Sequence, residues 1–346
     1  LKPGIGLAGT SFAWRLAVDF ADRGTNMSRC LLAILVILLG PCSASVAQDW
    51  PTKPIRAIIP FGAGSATDVI PRIVFDQMSA QLGQPIVVEN RGGAGGTIGT
   101  TAVAKADPDG YTILVNSSAH TITPSIYPNL GYDASRDFVT VGAMGNVPNV
   151  LIIAPSKGIT TVQEFVAAAK AKPGAFNFAS VGIGSAVHLS AERFRLSAGY
   201  EAVHIPFKGG ADALTEVIAG RVDYYFCPIA TALPHIRDGR LLGLAVSSPQ
   251  RASALPDLPS TLEAGYPDSD YMFWIGVFAP AHTPPGVVAK LYQEMQKALQ
   301  VPAVREKLAT LGVEPMPLTS AEFDTQVMKE IVVYGSFAKA AGLKPN

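Results

Sequence analysis

Four short stretches mix glycine with hydroxyl or imidazole side chains, and each follows an apolar run. "PFGAGSATD" (60–68) follows "IRAII", and "NRGGAGGTIG" (90–99) begins where "PIVVE" ends. "NSSAHT" (116–121) follows "YTILV", and "ASVGIGSAVHL" (179–189) follows "AFNF". Glycines let the backbone turn tightly and present N–H groups, and the start of a helix adds a potential that favours negative charge. The chemistry on offer is capture of an anion, either a phosphate or a carboxylate.

A nucleotide fits poorly. The dinucleotide fingerprint needs a third glycine where Ile98 stands after Gly93-Ala94-Gly95, and an acidic residue after the next strand. That strand ends in Val115-Asn116-Ser117-Ser118, and no lysine follows the glycines before Lys105, so a P-loop fails too. A serine hydrolase would use Gly-x-Ser-x-Gly at such a turn. In "GAGSA" and "GIGSA" the serine follows the second glycine instead; Ser185 and His188 could share a helix face without forming a triad. A secreted hydrolase using Ser65 or Ser185 stays as the alternative reading. Metal ligation finds no support, because His120, His188, His204, His235 and His282 are dispersed, with no paired spacing. Cys227 in "YYFCPIA" reads as a small buried apolar residue. Lys208 in "PFKGG" suits either a ligand contact or a solvated lysine. No catalytic group and no cofactor is expected.

The elements that must hold these loops alternate between strand and helix, which predicts an α/β fold. Strands are expected at "IRAIIPF", "PIVVEN", "YTILVNSS", "VLIIAP", "AFNFASVG", "EAVHIPF", "VDYYFCP" and "LLGLAVSS". Helices are expected at "DVIPRIVFDQMSAQLG", "TIGTTAVAKA", "TVQEFVAAAKA", "SAVHLSAERFRLSAG" and "ADALTEVIAG". "SAHTITPSIY" reads as a loop, and the tail as helical, with Leu291 and Met295 in one apolar stripe. Two sets of such units predict two α/β lobes with a cleft beyond the carboxyl ends of their strands.

The chain has 346 residues, 48% of them hydrophobic, with 27 basic and 27 acidic side chains. That length supports a large core in about two domains, and the absence of basic excess argues against a nucleic-acid partner. Met27-Ser28-Arg29, the apolar "CLLAILVILLG" and Ser45-Val46-Ala47 read as a signal peptide over 27–47, cleaved after Ala47. Residues 1–26 are expected to be an extension upstream of the true start. The apolar run is too short to remain as a membrane span. Cys42 is a candidate for lipidation, although Pro41 before it fits poorly. Cys30 and Cys42 leave with the signal, so Cys227 alone cannot form an internal disulfide.

Taken together, "WPTKPIRAIIPFGAGSATDVIPR", "VVENRGGAGGTIGT", "ADPDGYTILV", "SVGIGSAVHLSAERF", "IPFKGGADALTEVIAGRVDYYF" and "FAPAHTPPGVVAKL" resemble the Bug-type receptors of tripartite tricarboxylate transporters. Phe61, Gly64, Asp68 and Arg72 match the family's first motif, from which Ser65 departs, and Gly92 replaces the proline of the family's Asn-Arg-Pro-Gly-Ala-Gly-Gly stretch. The resemblance implies a type II periplasmic binding protein-like fold, two α/β lobes joined by two crossover strands. "NVPNVLIIAP" would leave the first lobe and "YMFWIGVFAP" return to it. Lobe one would span 48–147 and 272–346, and lobe two 148–271. It further implies a periplasmic monomer that binds a small organic anion for membrane transporter subunits, or presents it to a membrane kinase. Phe61, Ser65, Ala66, Thr67 and Asp68, with Ser117 and His120, are the expected first-lobe grip. Gly184, Ser185 and His188 are expected from the second.

Overall fold

Short apolar runs closed off by glycine, proline or asparagine become strands. They are β1 (Ile55–Ile59), β2 (Ile86–Asn90), β3 (Thr112–Ser117), β4 (Phe138–Asn146) and β5 (Asn149–Ile153). The remainder are β6 (Phe176–Ser180), β7 (Ala202–Pro206), β8 (Tyr224–Pro228), β9 (Leu242–Val246) and β10 (Trp274–Pro280). This computed structural model describes residues 50–127 and 129–344; the expected extension (1–26), the signal segment (27–47) and Cys42 lie outside the described residues.

The strands make two five-stranded mixed sheets of the same plan. One runs β2-β1-β3-β10-β4 and the other β7-β6-β8-β5-β9. In the first, β1 is parallel to β2 and β3, while β10 lies antiparallel to β3 and β4. The second repeats this, with β6 parallel to β7 and β8, and β5 antiparallel to β8 and β9. Strand β1 therefore answers to β6, and each points its carboxyl end at one of the glycine loops. The sequence shows no tandem repeat; the correspondence lies in topology. The α/β class with two sheets stands as expected.

Helices cover the sheets. The first sheet is followed in turn by α1 (Ala66–Leu82), α2 (Thr97–Ala104) and α3 (Ala119–Ile126). Around the second are α4 (Val162–Ala171), α5 (Ala186–Ala198), α6 (Gly210–Ile218) and α7 (Ile229–Arg237). The tail adds α8 (Pro285–Gln300), α9 (Pro302–Thr310) and α10 (Ser320–Ala340). Local rules set several boundaries. Thr161 and Glu164 form a capping box at the start of α4, as do Thr319 and Glu322 at α10. Gly83 closes α1 in the left-handed conformation.

Two segments depart from the reading by sequence. "SAHTITPSIY" holds helix α3, because the Thr121 and Thr123 hydroxyls bond the carbonyls of Ser118 and Ala119 and the helix packs on α10. Strand β4 was masked by its glycines. A Cβ at Gly142 would meet Met295 of α8 at 2.8 Å, and one at Gly145 would meet Val313 at 2.7 Å. Close packing, rather than β-propensity, selects those residues.

Each sheet has its own core. Ile58, Val103, Leu114, Trp274, Phe278 and Phe323 gather in the first half. Aromatics dominate the second, where Phe165 meets Tyr224 edge to face at 5.0 Å and the Tyr200 and Tyr224 hydroxyls bond at 2.9 Å. Aromatic pairs of this kind contribute roughly 0.5–1.5 kcal/mol beyond area burial. The chain crosses between the sheets twice, after β4 and before β10, and the crossings lie side by side: Val147 N–H donates to the Phe273 carbonyl at 2.7 Å.

Candidate functional site

The loop from β1 to α1 turns at Gly64, whose φ of +78° only glycine adopts freely, and Ser65 then enters the helix in extended conformation. Its hydroxyl does not cap the helix. Asp68, one turn on, accepts the Gly64 N–H at 2.9 Å, the Arg72 Nε–H at 2.9 Å and the Asn90 Nδ2–H at 3.0 Å. Those hydrogen bonds and the Arg72 charge outweigh burial and hold its carboxyl below the usual range.

The loop from β6 to α5 has the same backbone. Gly184 has φ +81° and Ser185 enters the helix extended. Here the serine is occupied: its hydroxyl donates to the Gly182 carbonyl at 2.6 Å and accepts the His188 N–H at 3.4 Å. His188 stands where Asp68 stands, and its Nδ1 accepts the Gly184 N–H at 3.4 Å.

A cavity of about 30 Å³ lies where these two junctions meet. Phe61, Ser65, Ala66, Thr67 and Ser117 form its wall on one side. Val181, Ser185, Ala186 and Val187 face them, with Gly210, Tyr225, Pro228 and Thr231 from the same half and Phe273 from a crossover. No side chain in this wall, among the described residues, is charged. Yet the wall is not electrically neutral in effect. The first N–H groups of a helix have no partner within it, and the first-turn residues of both α1 and α5 line the cavity. Two helix N-termini from opposite halves thus favour an anion there. The Ser65 hydroxyl, shut off from solvent, has no hydrogen-bond partner among the described residues. A buried donor of this sort is costly unless something binds it.

Asp68, His120, Gly184 and His188 do not line this cavity. Asp68 and His188 stand behind it and tie down their own loops. His120 is buried between Phe278 (4.6 Å, stacked) and Phe138 (5.1 Å, edge-on), and burial lowers its pKa to about 4. Burial, then the nearby His204 and Arg195, lower His188 to about 3. Sequence reading passed over Val181, Val187, Tyr225, Thr231 and Phe273. Val181 and Val187 lie within "ASVGIGSAVHL", Tyr225 lies within "VDYYFCP" and Thr231 just beyond it, and Phe273 comes from a crossover.

The glycine cluster 92–96 serves the approach of the two halves. The Tyr127 hydroxyl donates to the Ile183 carbonyl at 3.1 Å, and a Cβ on Gly95 would overlap that same carbonyl oxygen. A wider opening outside the cavity is lined by this cluster with Tyr127, Ile183, Phe207 and Lys208. Lys208 lines this opening and not the cavity.

Among the described residues acyl chemistry lacks its parts: Ser185 meets the backbone N–H of His188 rather than its imidazole, and the close contact of Ser180 Oγ with His204 Nε2 at 2.5 Å does not reach the cavity wall. Burial pushes the Cys227 thiol up to about 12, which leaves it inert. No cluster among the described residues could hold a metal ion. No helix among them is long and apolar enough to cross a membrane.

Comparison with known proteins bears on the family and the fold. BugT of Bordetella pertussis is 35% identical over 323 residues, covering 92% of this chain and 99% of BugT. The structure of the periplasmic binding protein BugD superposes with a TM-score of 0.82 at 33% identity, covering 86% of this chain and all of BugD. An R. palustris protein solved with adipate gives 0.82 at 32% identity, with 86% and 100% covered. Residues 70–343 match the TctC profile, described as the tripartite tricarboxylate transporter family receptor, a family of binding proteins rather than enzymes. The chain belongs to this receptor family.

Proposed function

We propose that this protein captures a small organic carboxylate in the cavity and delivers it to the membrane subunits of a tripartite transporter. It would act in the periplasm as a monomer, after removal of the 27–47 signal. The observation that carries this reading is the convergence of two helix N-termini and the unpartnered Ser65 hydroxyl on one cavity. A carboxylate supplies what those donors lack, and charge-assisted N–H bonds are the strong kind. The adipate bound to the R. palustris relative is an acid of this class. Phe61, Ser65, Ala66, Thr67 and Ser117 form the grip from one lobe (48–147 with 272–346). Ser185, Ala186 and Val187 form it from the other (148–271). Asp68, Gly184 and His188 position those loops.

The cavity has room for about two waters, at roughly 10–15 Å³ each. An organic acid needs more, so the lobes part to admit it and close because only the closed form lets both donate. Calorimetry with citrate, adipate and terephthalate, paired with small-angle scattering, tests this. Saturable binding of an acid and a fall in radius of gyration are expected. No binding and no compaction across such acids would refute it.

A further inference from the structure

Arg193 lies on α5, the helix whose first turn lines the cavity, and its contacts run to the pivot between the halves. That pivot is short. On the returning crossing, Tyr271 is tied to the second half: its N–H donates to the Ser247 carbonyl at 2.7 Å, and its carbonyl accepts the Ser247 hydroxyl at 3.1 Å. Trp274 already opens β10 of the first sheet, which leaves Met272 and Phe273 between. On the outgoing crossing, Asn146 ends β4 and Asn149 opens β5, with Val147 and Pro148 between them.

Arg193 reaches both sides of this pivot. Its Nε–H donates to the Asp270 carbonyl at 2.6 Å and its Nη2 stands 3.5 Å from the Asp270 carboxylate, both on the second-half side. The guanidinium also lies over two rings of α10, 5.6 Å from the centre of Phe337 and 6.0 Å from that of Tyr334. Helix α10 packs on α3 and β4 and so belongs to the first half. Only 15% of the Arg193 side chain is exposed. A guanidinium withdrawn from water gains more from aromatic faces than a solvated one does.

Taking the closure described above as given, we infer that Arg193 is a positioning residue for capture. Asp270 aims the guanidinium, and the rings of α10 hold it while the halves are together. Rotation about 147–148 and 272–273 carries Arg193 away with α5 and leaves the rings with α10. The contact therefore favours the closed form and slows escape of the ligand.

Calorimetry and stopped-flow kinetics on the mature chain test this with Arg193→Gln, Phe337→Leu and the double variant, using whichever of adipate, citrate and terephthalate the unaltered chain binds best. Arg193→Gln keeps an amide N–H for the Asp270 carbonyl and removes the charge over the rings. Its affinity is expected to fall about 3- to 10-fold, through a faster off-rate. Phe337→Leu, which leaves the Asp270 bonds in place, should lose about 2- to 5-fold. The double variant should bind no more weakly than Arg193→Gln alone. A merely structural role would lower the melting temperature and leave the affinity of the folded protein unchanged. Unchanged affinity in both single variants, or losses that add in the double, overturns the inference and leaves a carboxylate receptor intact. If the unaltered chain binds none of the three acids, the proposed function itself falls, and the inference with it.

Discussion

The two strand-to-helix junctions share a backbone and differ in what their side chains are free to do. Both place a glycine near φ +80°, then a serine in extended conformation, then a helix start at the cavity. In the second half Ser185 is bonded to its own loop, whereas in the first the Ser65 hydroxyl is left over and Asp68 does the bracing. The comparison separates two tasks. Attraction for an anion belongs to the backbone and is present twice; the spare serine hydroxyl belongs to the first junction and not to the second.

Acid should break the symmetry most. His188 and His204 of the second half have their pKa lowered to about 3 and about 4, against His120 alone, at about 4, in the first. A histidine kept neutral in the fold binds fewer protons than in the unfolded chain, so its contribution is intact above about pH 6.5 and lost as pH falls towards the folded value. Each costs about 1.4 kcal/mol per pH unit over that range. Urea unfolding at pH 7 and 4.5 should show a loss of several kcal/mol, with hydrogen exchange rising first in the second sheet. Unchanged stability would contradict the assignment of these histidines as buried and neutral.

Next in size is Gly95→Val, which sets a side chain against the Ile183 carbonyl when the halves meet, and against Tyr127 and a left-handed φ of +62° within the first half itself. Overpacking of about 1–3 kcal/mol converts to roughly a 5- to 150-fold loss of ligand affinity. Scattering of the liganded variant should remain that of the open form, with the melting temperature lowered by the strain of a branched residue at that φ.

The two serines sharpen the comparison directly. Ser185→Ala removes a helix cap and a bond to Gly182, so thermal unfolding should show a loss of about 1 kcal/mol. Ser65→Ala should leave stability within about 0.5 kcal/mol and weaken carboxylate binding by about 1 kcal/mol, several-fold in affinity. If Ser65→Ala destabilised the fold as much as Ser185→Ala did, the contrast between the junctions would be false.

Much of this was legible in the sequence, because strand-glycine-serine-helix order is a local signal. Ser65, Thr67 and Ser185 could be named from the loop pattern, and Phe61, Ala66 and Ser117 once the family resemblance was added; all six line the cavity. Side-chain direction was not legible. His120 and His188 lie beside such turns, but one joins an aromatic stack and the other braces its loop. Phe273 and Tyr225 were hidden for another reason: they reach the cavity through strand pairing and a crossover far apart in sequence. Strand β4 was obscured because packing against α8 demanded glycine where propensity would place a branched residue.

A crystal structure of the protein with its tightest-binding acid tests the central claim most directly. One carboxylate should lie about 3 Å from the amides of Ala66 and Thr67 and from the Ser65 hydroxyl, with Ala186 and Val187 closing on the other side of the molecule. An acid seated outside this cavity, or held there with the α1 and α5 starts turned away from it, would contradict the account.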